Sequence, residues 1–274
     1  MKRQLMILGC ALLLLVAVSP RPAVADPLRA LTVQELVAEP ETVYDIAFLW
    51  FDNLAEGRAS FGVGERPGTY RATLEAKTLG VAAWLTQDRI QRYTSLMELG
   101  ADGRLNSLIH ESLIIKGSKK KRREKSKRYT FDEQKREVRY QATADGSAGP
   151  EQIFPMGPET PNDILTAFYN FRLGAFGPLR PGARYTIPTF NRKGKGVIVV
   201  ETLPDGPRTN PFFPSNGLLC RAIVDPEIFD TGGGAIFFWF DRSVHPPRGI
   251  VEQVIGLGDV KGSARPQVVK TQPN

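Results

Sequence analysis

From Val43 onward polar and apolar residues alternate along most of the chain, the two-residue period of strands that cover a core on one face. In "TYRATLEAKT" the residues Tyr70, Ala72, Leu74 and Ala76 fall on one face, and Thr69, Arg71, Thr73, Glu75 and Lys77 on the other. "REVRYQA" repeats the pattern, with Val138 and Tyr140 opposite Glu137, Arg139 and Gln141. The same reading predicts strands over 54–63, 88–99, 103–115, 127–132, 183–190, 195–203, 217–224, 235–241 and 249–257. Turn signals separate them at Arg66-Pro67-Gly68, Asp102-Gly103, Asp205-Gly206 and Thr231 to Gly234. These short spacings favour hairpin neighbours.

The period changes to that of a helix in "TPNDILTAFYNFRLG". Thr160 is placed to cap the first turn, Pro161 suits the first helical position, Asp163 adds an early acid, and Gly174 can end the element. Ile164, Ala167, Phe168 and Phe171 form the apolar stripe, broadened by Leu165 and Tyr169. Residues 79–85, "LGVAAWL", read as a short helix or an irregular crossing. The predicted class is all-β and mostly antiparallel: a curved sheet, or an up-and-down barrel or half-barrel, with the amphipathic helix 161–173 packed on its concave side or plugging it.

Two segments are apolar on both faces. "VYDIAFLWF" sets Tyr44, Ile46, Phe48 and Trp50 against Val43, Ala47, Leu49 and Phe51, and "AIFFWF" sets Ile236, Phe238 and Phe240 against Phe237 and Trp239. Such a strand is either covered on both sides or lines an apolar cavity with its second face. Phe48, Trp50, Phe237 and Trp239 are therefore the candidates for apolar ligand contact.

The first 25 residues change the picture of where the protein works. Lys2 and Arg3 precede an apolar run from Leu5 to Val18, followed by Ala23-Val24-Ala25, the layout of a secretory signal cleaved after Ala25. Export to the periplasm is expected. Cys10 lies inside the apolar run rather than after it, which argues against lipid attachment there. The expected organisation is a signal at 1–25, a leader at 26–42, one β-rich domain at 43–265 and a flexible tail at 266–274. Cys220 is the one cysteine left after cleavage, so no disulfide forms within the chain. If 217–224 is a strand, Cys220 shares a face with Leu218, Ala222 and Val224 as a buried, inert thiol.

The net charge of +7 is local in origin. Residues 116–128, "KGSKKKRREKSKR", carry nine basic side chains against one acid, and the rest of the processed chain is mildly acidic. Read as a hairpin, 119–128 is either an edge ribbon that resists aggregation or a surface for anionic headgroups, lipopolysaccharide phosphates or acidic glycans. Lys119, Lys120, Lys121, Arg122 and Arg123 are the candidates for that contact. Export excludes nucleic acid as a partner.

The run of segments resembles a family of exported bacterial proteins of unknown function defined by a DUF3108 domain. The likeness lies in "YDIAFLWFDNLAEGRASFGV", "YRATLEAKTLGVAAWL", "RIQRYTSLMEL", "KRYTFD", "TPNDILTAFYNFR", "LRPGARYTIPTFNRKGKGVIVVE" and "AIFFWFDRSVHPPRGIVEQVIGLGDVKGSAR". It covers most of residues 43–265. The resemblance implies a periplasmic, strand-rich barrel or half-barrel, similar in outline to lipoprotein carriers that shelter acyl chains, and it brings no catalytic residues. "TLPDGPRTNPFFPSNGLLC" departs from a regular strand-turn-strand, which leaves the pairing of residues 203–220 open.

Catalytic and metal chemistry find little footing. His110 and His245 are the two histidines; the Asp241 to His245 spacing falls in a turn before Pro246-Pro247, and His110 with Ser112 makes a nucleophile pair on strand spacing alone. The glycines before Ala235 precede a strand, not the helix a phosphate loop requires. Glu111 shares a face with Ile109 and Leu113, as an inward carboxylate or a paired residue at a sheet edge. No metal and no cofactor are expected. The leading functional expectation is a non-enzymatic envelope protein that binds or shelters an apolar or amphiphilic molecule such as a lipid or glycolipid. Its alternatives are an assembly factor docking on an envelope protein partner through the basic hairpin or a sheet edge, and an unrecognised hydrolase of envelope polysaccharide or lipid. A cleft joining Glu111, His110 and Asp45 would favour the hydrolase.

Overall fold

The computed structural model describes residues 28–48, 51–117, 121–192, 194–204, 208–224, 235–254 and 258–266. The expected signal, the turn 231–234, and Trp50, Lys119 and Lys120 lie outside the described residues.

Two meanders make up a 15-stranded sheet. The first runs through β1 (Thr42–Phe48), β2 (Phe51–Val63), β3 (Thr69–Thr78), β4 (Ile90–Leu99), β5 (Leu105–Lys116), β6 (Arg123–Asp132), β7 (Glu137–Ala144) and the two-residue β8 (Ser147–Ala148). A short β9 (Gln152–Pro155) also pairs with β7. The second comprises β10 (Arg184–Asn191), β11 (Gly194–Thr202), β12 (Leu218–Ile223), β13 (Ala235–Phe240), β14 (Arg248–Val254) and β15 (Gly258–Ala264). All these pairings are antiparallel, and β15 pairs with β1, so the last strand joins the first in the middle of the sheet. The strand order ends at β10 on one side and β8 on the other, which leaves the barrel open.

Side chains cross the open seam. Phe190 of β10 meets the rings of Tyr129, Phe131 and Phe154 edge-on, with centroids 6.4, 6.4 and 5.5 Å away. Asn162 donates its backbone N–H to the Pro188 carbonyl (3.0 Å) and accepts from the Phe190 N–H (3.1 Å). That exposed strand edge is thereby partly satisfied, and Pro188 lacks the donor an added strand would need.

The helix α3 (Ile164–Arg172) fills the concave side. Ala167 and Phe171 pack with Tyr185, Ile187, Val200, Cys220 and Phe240 of the second meander. Leu165 and Tyr169 pack with Phe61, Ala72, Met97 and Leu105 of the first. Thr166, Asn170 and Arg172 are buried as well, so α3 is covered nearly all round, whereas a one-sided stripe was expected. Its cap is Asp163 and not Thr160, because serines from β4 and β5 converge on Asp163; Thr160 accepts instead from the Arg136 guanidinium at 3.2 Å. Gly174 follows the last turn at φ 73°, the left-handed conformation glycine adopts at least cost.

Sequence alternation also missed three local facts. "VYDIAFLWF" is no single strand: β1 ends at Phe48, Phe51 opens β2 opposite it, and Asp45 faces outward to Arg265 (2.6 Å). A register shift between Leu96 and Met97 on β4 and their partners on β5 sets His110 inward beside the already inward Ser107, and Glu111 outward against Arg128. Of the two readings of Glu111, the inward carboxylate fails and the paired residue holds, though on a strand paired on both sides and not at an edge, and Asp45, His110 and Glu111 do not share a cleft. The leader carries a helix, α1 (Val33–Ala38), with a Thr32/Glu35 capping box, and its fully buried Leu36 joins the cluster around Phe61 and Met97.

The basic segment is not an edge. β6 is paired with β5 on one side and β7 on the other. Arg122 pairs with Glu124, Arg123 with Asp145 (2.9 Å) and Arg128 with Glu111, so acids from β6 itself, from the turn after β7 and from β5 relieve part of the repulsion. Gly117 makes the preceding turn at φ 74°, where an added Cβ would collide with the Lys121 carbonyl.

Candidate functional site

β13 is covered on both faces. Its inward residues Ile236, Phe238 and Phe240 pack on the α3 side, while Phe237 and Trp239 point to the convex face and meet Phe213, Leu219 and Ile250. The open segment 203–220 explains this cover: Leu203 continues the pairing to Leu219 (2.8 Å), and residues 208–217 fold back over the strands. Arg208 clamps that loop, reaching the Pro214 and Pro204 carbonyls at 3.4 Å and the Gly217 carbonyl at 2.9 Å. The Trp239 indole donates to the Asn216 carbonyl at 2.5 Å. Arg248 lies over the Phe212 ring, 5.5 Å from its centroid.

Between loop and sheet is a cavity of about 370 Å³. Leu219, Phe237 and Ile250 form its floor; Leu203, Pro204 and Phe213 its wall. Arg208, Thr209, Asn210, Glu252 and Asp259 add polar groups. The Arg208 guanidinium is spent on carbonyls, and one Glu252 oxygen accepts from the Ala235 N–H at 3.4 Å. The cavity thus combines an apolar floor with carboxylates at its border.

The expected contact residues divide. Phe237 lines the cavity; Trp239, 7% exposed, is beneath the loop and serves as its anchor. Phe48 is half-buried at the end of β1 and does not line the cavity. Lys121, Arg122 and Arg123 are exposed on the β5–β6 hairpin. Sequence reasoning missed Leu219, Ile250 and Phe213. The available signal was "PFFP" at 211–214, two aromatics between prolines in a polar loop, where a purely solvated loop has no use for them.

Both histidines are buried in structural networks. Asp163, 2% exposed, accepts from Ser95 Oγ (2.6 Å), Ser107 Oγ (2.7 Å), Thr166 Oγ1 (2.7 Å) and the Leu165 and Thr166 N–H groups (2.9 and 3.0 Å). Burial alone would push its carboxyl up; the charge and hydrogen bond of His110, then the hydroxyls, outweigh that and hold it well below the usual carboxylate range. Ser95 Oγ lies 2.9 Å from His110 Nδ1, yet the serine hydrogen is engaged by Asp163 and all three groups are enclosed. Serine and carboxylate meet the same imidazole nitrogen, whereas a nucleophile triad sets them on opposite ones.

His245 sits between Thr42 Oγ1 at Nδ1 (3.0 Å) and the Tyr169 hydroxyl at Nε2 (2.9 Å). Burial, and then the nearby Arg172 charge, lower its pKa to about 4. Arg172 is fully buried, donating to the Val244 carbonyl (3.0 Å) and the Ser243 carbonyl (2.6 Å) and lying 4.4 Å from the Phe240 ring centroid; its Nη1 has no partner. Burial pushes the Cys220 thiol up, as expected of an inert core cysteine. Among the described residues no group of three or more His, Cys, Asp or Glu is placed to hold a metal ion. No described helix is long and apolar enough to cross a membrane.

Fold and site together define an open, helix-filled antiparallel β-barrel-like protein with a loop-covered cavity on its convex face. The chain belongs to the family described as protein of unknown function (DUF3108), whose model matches residues 43–264. Among solved structures it is similar to a beta-barrel-like protein of the domain of unknown function DUF1849 from Brucella abortus. That similarity has a TM-score of 0.36 at 11% identity, over 82% of this chain and 94% of that one. The comparison with curated proteins finds no match.

Proposed function

We propose that the chain is a non-enzymatic protein of the cell envelope, exported to the periplasm by its N-terminal signal, that binds an amphiphilic envelope molecule such as a lipid or glycolipid. The observation that carries this reading is the cavity of about 370 Å³ with Leu219, Phe237 and Ile250 as its floor. Its volume is at the small end of the range for ligand sites and suits one acyl segment or one compact head group. The concave side is occupied by α3, so the proposed binding place is the convex face, and the fit is to part of a molecule.

Glu252 favours a polar part bearing hydroxyl or ammonium donors over a bare phosphate. The hydrolase alternative gains no support from Ser95, His110 and Asp163, whose hydrogen bonds are consumed in capping α3. Titration with the apolar dye N-phenyl-1-naphthylamine, followed by competition with a lysophospholipid, tests the reading. Wild type is expected to bind the dye saturably, and Phe237→Ala to weaken binding by about tenfold, the equivalent of about 1.4 kcal/mol. Equal dye affinity in both proteins would overturn it.

A further inference from the structure

A second surface, at the other end of the strands from the loop that covers the cavity, has its own chemistry. β3 ends at Thr78 on this rim and β4 starts there at Ile90; between them lies the short helix α2 (Gly80–Thr86). Trp84 and Leu85 of α2 are 79% and 68% exposed, and Phe51 at the start of β2 is 53% exposed. Backbone hydrogen bonds make the rim continuous. The Leu79 N–H donates to the Leu54 carbonyl of β2 (2.8 Å), and the Gly117 N–H of the β5–β6 turn donates to the Gln87 carbonyl just after α2 (2.5 Å). Exposed apolar side chains thus stand beside the most basic part of the chain.

Isolated surface leucines are ordinary, but a tryptophan and a leucine adjacent on one rim helix are not required by packing. Trp84 contributes none of its ring to the described core clusters. The charge beside it is predominantly basic: residues 116–128 hold nine basic side chains against Glu124, and Glu111 of β5 and Asp145 just after β7 are among the acids brought to them. Aromatic and aliphatic side chains that enter the headgroup layer, flanked by lysines and arginines that meet lipid phosphates, are the physical requirements of a monotopic contact.

We infer that this rim docks on the surface of an anionic lipid bilayer, with Trp84 and Leu85 entering the headgroup region and Lys121, Arg122 and Arg123 held against the phosphates. Phe237 is not part of this surface, so the inference stands apart from the cavity.

Co-sedimentation with phosphatidylglycerol/phosphatidylcholine vesicles, and with vesicles of phosphatidylcholine alone, tests it. Wild type is expected to sediment with the anionic vesicles and to be released by raised salt, with a blue shift in tryptophan emission. Trp84→Ser/Leu85→Ser is expected to lower the partition by at least about tenfold, since binding strength scales with buried apolar area. Lys121→Glu/Arg122→Glu is expected to abolish the preference for anionic vesicles. All four positions are exposed, and unchanged circular dichroism confirms that each variant folds. Phe237→Ala should bind the vesicles as wild type does, which separates this inference from the cavity. No sedimentation with anionic vesicles, equal binding to both vesicle types, or full binding by either double variant would overturn it.

Discussion

Single residues decide how this barrel responds to acid. His245 is held neutral between Thr42 and Tyr169 until about pH 4, whereas an unfolded histidine takes up its proton near 6.5. Below 6.5 the unfolded chain therefore binds more protons than the folded one, and stability falls with falling pH until His245 itself titrates. The shift corresponds to roughly 3 kcal/mol. Asp163 acts lower on the scale: its folded pKa is depressed, so its contribution is complete above about pH 3.9 and is lost as pH falls toward the folded value. Urea unfolding midpoints measured from pH 7 to pH 4 should decline in wild type and decline much less in His245→Gln. A parallel decline in both would remove His245 as the cause.

Elements differ in how openly the sequence declares them. The strands of "TYRATLEAKT" and "REVRYQA" were legible because one face is wet and one is dry, and the observed β3 and β7 lie within two residues of those segments. The helix was legible from its stripe, but its cap was not. Pro161 pointed to Thr160 as the cap, since proline suits the first helical position, and Asp163 wins because Ser95 and Ser107, far away in sequence, supply donors to a buried carboxylate. The orientation of Glu111 stayed open for a similar reason: a bulge on the β4–β5 ladder resets the alternation, and period-two counting carries no sign of it. The leader concealed α1 because six residues are too few to display a period. Leu36 of α1 is fully buried, so Leu36→Ala should cost about 2–5 kcal/mol in chemical denaturation. A cost below about 0.5 kcal/mol would mean that the leader is not part of the folded core.

At the scale of the whole molecule, the order of strands determines where a ligand can go. Joining β15 to β1 leaves the sheet curled with its two free sides at β10 and β8, and α3 occupies the space within. The sequence had already paired a curved sheet with a helix at its concave side; what it left open was the path of residues 203–220. That path proves decisive, because the loop turns outward and roofs a cavity on the convex face, and of the described apolar candidates Phe48, Phe237 and Trp239 it is Phe237 that lines it. The central claim is that an amphiphile is held there. Native mass spectrometry of the protein extracted from the envelope of cells that make it tests this most directly. The account predicts one amphiphile bound per chain in wild type and none in Phe237→Glu; a wild-type protein that arrives bare, or an adduct that Phe237→Glu leaves in place, would contradict it.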